Sequence, residues 1–482
     1  MQRLKLAFVT PRQDFIKELT ELAGAFFPSI DLMDAGQAPD LQVSHQERVV
    51  FGRRHCQIDL SGLYRASFSN DETVQPEPLA EKRLHKRQVK RALFQALKAA
   101  TGIQPPWGSL TGIRPVRLCA EGMQRGLSLP EALAEMRDIF DVQPDKLGLL
   151  ERVIRVQQGL PLAQEDEIDV YIGIPFCPSR CRYCSFISSE VGNGKLLAPY
   201  AAALVREIGA SVDLVASRGL RVRAFYMGGG TPTALPADML SEVLCAAQPL
   251  LHGARERTVE AGRPDSIDQP KLRVLLDHGI QRISINPQTM HDATLACIGR
   301  AHTQAQTQAA FELARGMGFG HINMDIIAGL PGETPVMFAQ TLEWIKSLAP
   351  ESLTVHTLAI KRSSDMYRWA DSLPQAQDVE RMAAMGLDTA YAMGLEPYYL
   401  YRQKHMAGNL ENVGYAGPGL ACLYNVDTME DNVSILALGA GGISKFVSKG
   451  RLLVRRAANV KEIRHYIGHV DEMVARKQAL FI

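Results

Sequence analysis

The chain has 482 residues, 46% hydrophobic and 22% charged, which is enough for two or three soluble-type domains around a large core. Its 53 basic and 52 acidic side chains nearly cancel, so no overall field argues for nucleic acid or anionic lipid as a partner. No apolar run approaches the ~18–20 residues that cross a bilayer, and MQRLKLAFVTPRQDF at the start reads as a strand and turn rather than a secretion signal.

Residues 1–165 read as an N-terminal α+β domain. RLKLAFV and VVFGRRHCQIDLSGLYRASF alternate apolar and polar positions with turn residues between them, as half-buried strands do. Residues 77–100 read as a helix with Leu84, Val89, Leu93 and Leu97 on one stripe. The same helix carries Lys82, Arg83, Lys86, Arg87, Lys90 and Arg91. Such a set could meet RNA, but a solvated face is the simpler account in a near-neutral chain, so nucleic acid is not the expected partner. Residues 102–118 are rich in proline and glycine and read as a folded loop anchored by Trp107. Helical periodicity then runs over 128–156, broken near Gln143 and Pro144.

From residue 166 the rhythm becomes strand, loop, helix. Strands are expected over 169–176, 223–228, 257–261, 282–286, 321–328 and 352–360. Helices are expected over 196–217, 237–251, 269–278, 303–317 and 336–347. This alternation builds a parallel sheet in an α/β fold. Six units suit a partial (β/α)6 barrel over 166–364, which leaves 365–482 as a C-terminal cap domain over its mouth. Barrels of this kind gather their chemistry at the C-terminal ends of the strands. The polar motifs fall there: Cys177 after the first strand, Gly228-Gly229-Gly230-Thr231 after the second, Glu260 after the third, Ser284, Asn286 and Gln288 after the fourth, and Asn323 and Asp325 in the fifth. The glycines allow a backbone to approach a ligand closely.

The densest chemistry is DVYIGIPFCPSRCRYCSF, where Cys177, Cys181 and Cys184 follow a strand. Short spacers let three thiolates wrap one corner of an iron–sulfur cube, and the next cysteine is as far on as Cys245. Such clusters usually take four cysteines, so one iron would stay open to an outside ligand. Structural zinc is the weaker alternative, because it wants a second ligand pair that the spacing does not provide. Cys56, Cys119, Cys245, Cys297 and Cys422 are scattered without paired spacing, which fits a reducing cytoplasm and not a disulfide framework.

CxxxCxxC directly after a strand resembles the signature of radical S-adenosylmethionine enzymes, and YIGIPFC resembles their oxygen-independent coproporphyrinogen III oxidase branch. The resemblance implies a [4Fe–4S] cluster on Cys177, Cys181 and Cys184, with S-adenosyl-L-methionine on the open iron. It implies reductive cleavage of that cofactor to a 5′-deoxyadenosyl radical, with a flavodoxin or ferredoxin as electron donor. Carried over by residue, GGGTPT (Gly228, Gly229, Gly230, Thr231) matches the segment that receives the cofactor's amino group. Arg300 matches the partner of its carboxylate, Gln288 and Asp325 the ribose contacts, and Glu260 a further contact. Tyr183 matches the adenine neighbour, and Tyr171 the tyrosine near cofactor and substrate; both could equally be core aromatics.

PPWGSLTGIRP, ISINPQTM and EPYYLYRQKHMAGNLENVGYAGPG are similar to the coproporphyrinogen dehydrogenase subgroup HemZ, and ILALGAGGISK resembles a glycine-rich segment of the whole branch. The implied reaction converts two propionates of the porphyrinogen substrate coproporphyrinogen III to vinyl groups, giving protoporphyrinogen IX in haem biosynthesis. Two positions depart from the relatives. Phe186 stands where the oxidase has a further cysteine, which is the pattern of the haem chaperone HemW, yet HemW's His-Asn-x-x-Tyr-Trp is absent here. A haem-trafficking protein is therefore the alternative, with His302, His356 and His405 as candidate iron ligands. A radical enzyme acting on tRNA is the third reading.

Overall fold

Alternating strands and an amphipathic helix in the first hundred residues fold as one sheet with helices on it. The computed structural model describes every residue except 1–2, 28, 35–36, 112–113, 187, 360–372, 404–405, 449–452 and 482. Its contacts divide into two units, Met1–Glu151 with Arg402–Glu411, and Arg152–Tyr401 with Asn412–Ile482.

In the first unit, β1 (Leu4–Val9), β2 (Ile30–Leu32), β3 (Leu41–Val50), β4 (Arg53–Gly62) and β5 (Ala66–Thr73) form a sheet of order β2-β1-β3-β4-β5. The first three are parallel and the last three antiparallel. Helices α1 (Ile16–Ala23) and α2 (Pro78–Thr101) pack on one face, burying Phe15, Leu19, Val43, Ile58, Leu93 and Leu97 in one core. Glu77 caps α2 by accepting from the amides of Leu79 and Ala80, and Gly102 ends it at φ 71°. The expected apolar stripe is there, except that Leu84 is only half-buried while His85 and Gln88 are buried. Several cations of α2 have polar partners within the unit: Lys86 pairs with Glu18, Arg91 with Glu72 at 3.1 Å, and Lys90 donates to Thr111 at 2.6 Å. Trp107 anchors its loop, fully buried with its indole N–H on Glu411 at 2.7 Å. Helices α3 (Pro115–Gln124), α4 (Leu129–Phe140) and α5 (Pro144–Gln158) follow.

The second unit holds the expected alternation: β6 (Glu167–Ile174), the short pair β7 (Phe176–Cys177) and β8 (Ser189–Glu190), α6 (Leu197–Ser217), β9 (Arg221–Gly229), α7 (Ala237–Leu251), β10 (Glu256–Val259), α8 (Gln269–Asp277), β11 (Arg282–Ser284), α9 (Asp292–Cys297), α10 (Gln304–Gly316), β12 (His321–Ala328), α11 (Pro335–Leu348) and β13 (Ser352–Thr357). After residue 373 come α12 (Ala376–Ala392), β14 (Glu396–Tyr401), β15 (Asn412–Ala416), α13 (Leu423–Glu430), β16 (Ser434–Leu438), β17 (Ile443–Val447), β18 (Val454–Ala458), α14 (Ile463–Gly468) and α15 (Val470–Leu480). One sheet contains nearly all the strands, in the order β14-β15-β13-β12-β11-β10-β9-β6-β16-β17-β18. The run β6, β9, β10, β11, β12, β13 is parallel throughout and open at its ends, which is the partial (β/α)6 arrangement in an α/β fold. β6 is buried at seven of its eight positions, as a parallel strand covered on both faces must be.

Strands after residue 373 extend this sheet at both ends, β15 antiparallel to β13 and β16 parallel to β6. Two buried polar clusters fix them. The Glu207 carboxylate on α6 accepts from Lys477 at 2.5 Å, Tyr466 at 2.6 Å, the Gly439 amide at 2.7 Å and Asn459 at 2.8 Å. Glu256 on β10 accepts from the Leu423 amide at 2.9 Å and the Cys422 thiol at 3.1 Å, seating the start of α13. Among the described residues no helix is long and apolar enough to cross a membrane.

Candidate active site

The three cysteines lie on the loop that leaves β6. Backbone bonds fold it tightly: the Ser189 amide donates to Pro175, Val191 to Cys177, Cys184 to Cys181 and Arg182 to Ile298, all within 3.1 Å. All three thiols are free and half-buried. Burial pushes Cys177 up, opposed by hydroxyls of Thr231 and Ser188, and it pushes Cys184 up as well.

The glycine run at the end of β9 closes on this loop. A Cβ at Gly230 would stand 2.6 Å from the Phe176 carbonyl oxygen and 3.0 Å from Cys177 Sγ. Gly229 has φ +106°, a conformation that L side chains rarely adopt. Thr231 Oγ1 donates to Cys177 Sγ at 3.5 Å. On the opposite flank, a Cβ at Gly299 (φ +77°) would meet Arg182 Cγ at 3.2 Å. Arg300, next along, is buried and donates from Nη1 to the Asn286 carbonyl at 2.5 Å and from Nε to the Tyr183 hydroxyl at 3.3 Å. Tyr183 packs against the cluster of Leu295, Ile298, Ile327, Leu330 and Leu358.

Around the strand ends sit the remaining expected residues. Glu260 accepts from the Tyr226 hydroxyl at 2.5 Å, and enclosure pushes its carboxyl up to about 7. A Cβ at Gly228 would lie 2.8 Å from Glu260 Oε2, so the glycine gives that carboxylate its space. Gln288 adopts φ 68°, held by its amide on the Asp325 carbonyl and by the Ile327 amide on its own, both at 3.0 Å. A non-glycine residue in that region costs of order 1–3 kcal/mol and persists where surroundings over-determine it. Asp325 lies inside β12 and not at its end, with Asn323 donating at 2.8 Å and His356 Nε2 at 3.5 Å. Burial pushes Asp325 up, but His356, Asn323 and Thr354 outweigh it and hold the carboxyl low. Tyr171 stacks with Tyr424 at 6.0 Å and with Tyr226 at 6.4 Å. A cavity of about 100 Å³ is lined by Tyr171, Pro175, Phe186, Gly229 and the turn Ala440-Gly441-Gly442.

Sequence reasoning missed several participants. Arg263 is buried and reaches Ser179 and Cys181 from the turn after β10. Tyr226 and Tyr424 stack at 4.4 Å and join Tyr171 to Glu260. The run RAFYMGGG had hidden Tyr226 as an ordinary strand aromatic, and nothing local marks Tyr424. Of the candidate haem ligands, His302 is buried, with burial first and then Arg300 lowering it to about 3, and His356 faces Asp325. His405 lies outside the described residues.

A sequence profile of the Radical SAM superfamily matches residues 171–345. The oxygen-independent coproporphyrinogen-III oxidase-like protein HemZ of Bacillus subtilis (strain 168) is 36% identical over 466 residues, covering 93% of this chain and 92% of the relative. The chain belongs to the radical SAM superfamily, in the HemZ branch. This radical SAM protein is also 28% identical to the heme chaperone HemW of B. subtilis, over 63% of the chain and 76% of that relative. Coproporphyrinogen III oxidase (HemN) from Escherichia coli shares its fold, with a TM-score of 0.53 and 24% identity over 64% of this chain and 70% of that one.

Radical SAM superfamily members use a [4Fe–4S] cluster and S-adenosylmethionine. The residues present fit that pair. Three soft thiol donors share one loop, glycines leave the cradle beside Cys177 free of side chains, and two buried acceptors, Asn286 Oδ1 and Gln288 Oε1, have no partner within the chain's described residues. Buried polar atoms normally have a partner, which leaves these two able to accept from a bound ligand or a water. Among the described residues no three of His, Cys, Asp and Glu gather as the ligand set of a single ion.

Proposed function

We propose that this radical SAM protein catalyses the oxygen-independent oxidative decarboxylation of coproporphyrinogen III to protoporphyrinogen IX. The observation that carries the reading is the near-full-length similarity to the oxidase-like HemZ, joined to a cysteine loop and glycine cradle at the strand ends. When bound, the cluster and S-adenosylmethionine supply a hydrogen-abstracting radical. Cys177, Cys181 and Cys184 would hold the cluster. The backbone of Gly228, Gly229, Gly230 and Thr231 would receive the methionine amino group, and Arg300 would pair with its carboxylate. The Asn286 carbonyl and the Tyr183 hydroxyl hold Arg300 by accepting from its Nη1 and Nε. Gln288 and Asp325 would take the ribose hydroxyls, Tyr183 would flank the adenine, and Glu260 would accept or donate a hydrogen bond according to its proton. The Tyr171–Tyr424–Tyr226 stack packs beside Glu260, and Tyr171 would stand near the substrate. A flavodoxin or ferredoxin supplies the electron.

The test is anaerobic reconstitution followed by assay of 5′-deoxyadenosine and protoporphyrinogen, with and without coproporphyrinogen. Formation of both, dependent on the porphyrinogen, is expected. A second reading has its own observations: Phe186, 71% exposed beside the cysteine loop, and the similarity to HemW favour a haem-handling protein. Stoichiometric haem binding with no porphyrin product would replace the first reading with the second.

A further inference from the structure

Arg263 stands at the start of a one-turn 3-10 helix, Pro264–Ser266, just after β10. Its carbonyl is held twice over, accepting from Ser266 Oγ at 2.7 Å and from the Ser266 amide at 2.9 Å, and Ser266 is itself bonded to Thr233 at 2.6 Å. The side chain is 3% exposed, and all its nitrogens are engaged. Nε and Nη2 grip Asp265 at 2.9 and 2.7 Å. Nη1 donates to the Ser179 carbonyl at 3.0 Å and to Cys181 Sγ at 3.7 Å, and Nη2 donates to Ser179 Oγ at 3.0 Å. A planar fork is the side chain suited to bridge a carboxylate, a hydroxyl and a sulfur at once.

We propose that Arg263 is a positioning residue that pins the Ser179–Cys181 part of the cysteine loop and, through its N–H on the Cys181 sulfur, raises the reduction potential of the cluster held there. The proposal rests on the assignment of Cys177, Cys181 and Cys184 as cluster ligands. Cluster potentials respond to local charge and to hydrogen bonds on the sulfurs. The added electron is stabilised by a donor and by positive charge, so Arg263 favours the reduced state. Asp265 works against it, since its carboxylate offsets the guanidinium charge. The two residues therefore act with opposite signs on one measured quantity.

Redox titration of the anaerobically reconstituted full chain, followed by electron paramagnetic resonance, reads this sign. At the wild-type midpoint, R263Q is expected to lower the reduced-to-oxidised ratio about tenfold, ~59 mV for a one-electron couple, and to lose iron faster to a chelator. D265N is expected to raise that ratio. An R263Q protein with wild-type potential and wild-type iron loss overturns the proposal. If R263Q fails to fold or take up iron, D265N decides alone: an unchanged or lowered potential there overturns the proposal. Cys181→Ala separates the two levels of inference, because iron retained undiminished in that variant sinks the ligand assignment itself.

Discussion

Charge enclosed in a low-dielectric mouth shows its cost as a proton held near neutrality. Glu260 carries its carboxyl up to about 7, chiefly through burial. With the folded value above the unfolded one, its contribution is fully present below about 4.5 and is lost as pH rises through about 7. Glu260→Gln should therefore gain stability relative to the parent across that window, by at most about 3 kcal/mol, read from thermal unfolding of the ligand-free protein at a series of pH values. At the glycine cradle, Gly230→Ala drives a methyl against the Phe176 carbonyl and the Cys177 sulfur. It should cost about 1–3 kcal/mol in denaturant melts and reduce iron uptake. Single alanine replacements of Cys177, Cys181 or Cys184 should leave the fold intact, since each thiol is half-buried at the loop, and should each abolish the cluster's visible absorption.

The most consequential element outside the six repeating units is α13. Its first amides and the Cys422 thiol converge on Glu256, which also meets Arg282 at 3.2 Å, and this seating places Tyr424 on Tyr226. Glu256→Ala leaves a buried guanidinium and the helix's first donors without an acceptor. A loss of about 3–5 kcal/mol is expected from urea unfolding, with a weakened near-ultraviolet tyrosine signal from the Tyr171–Tyr226–Tyr424 stack. At this scale the strands and helices of the repeating units were readable in the sequence to within a few residues, because apolar periodicity is a local property. Asp325 shows where that reading stops. The alternation marked its strand, while its pairing with His356 depended on β13 lying beside β12.

Across the whole molecule, the parallel run depends on chain that comes after it, past residue 373. β16 covers the edge of β6, and β15 covers the edge of β13. A chain ended at residue 372 would expose both edges as unpaired backbone, and it is expected to partition into the insoluble fraction on expression while the full chain does not. The Glu207 cluster adds a reason, because its partners Lys477, Tyr466 and Asn459 all come from the last stretch of sequence.

The sequence alone determined the α/β rhythm, the spacing of Cys177, Cys181 and Cys184, and the glycines of the cradle, since each is written in neighbouring residues. Only the tertiary structure decided that Arg263 reaches Cys181, 82 positions away, that Glu256 seats Cys422, 166 positions away, and that Tyr424 stacks beneath Glu260's partner. Those contacts are made by residues with no shared local pattern, and they exist because forming the sheet brings distant strand ends into one low-dielectric space, where buried polar groups must find partners.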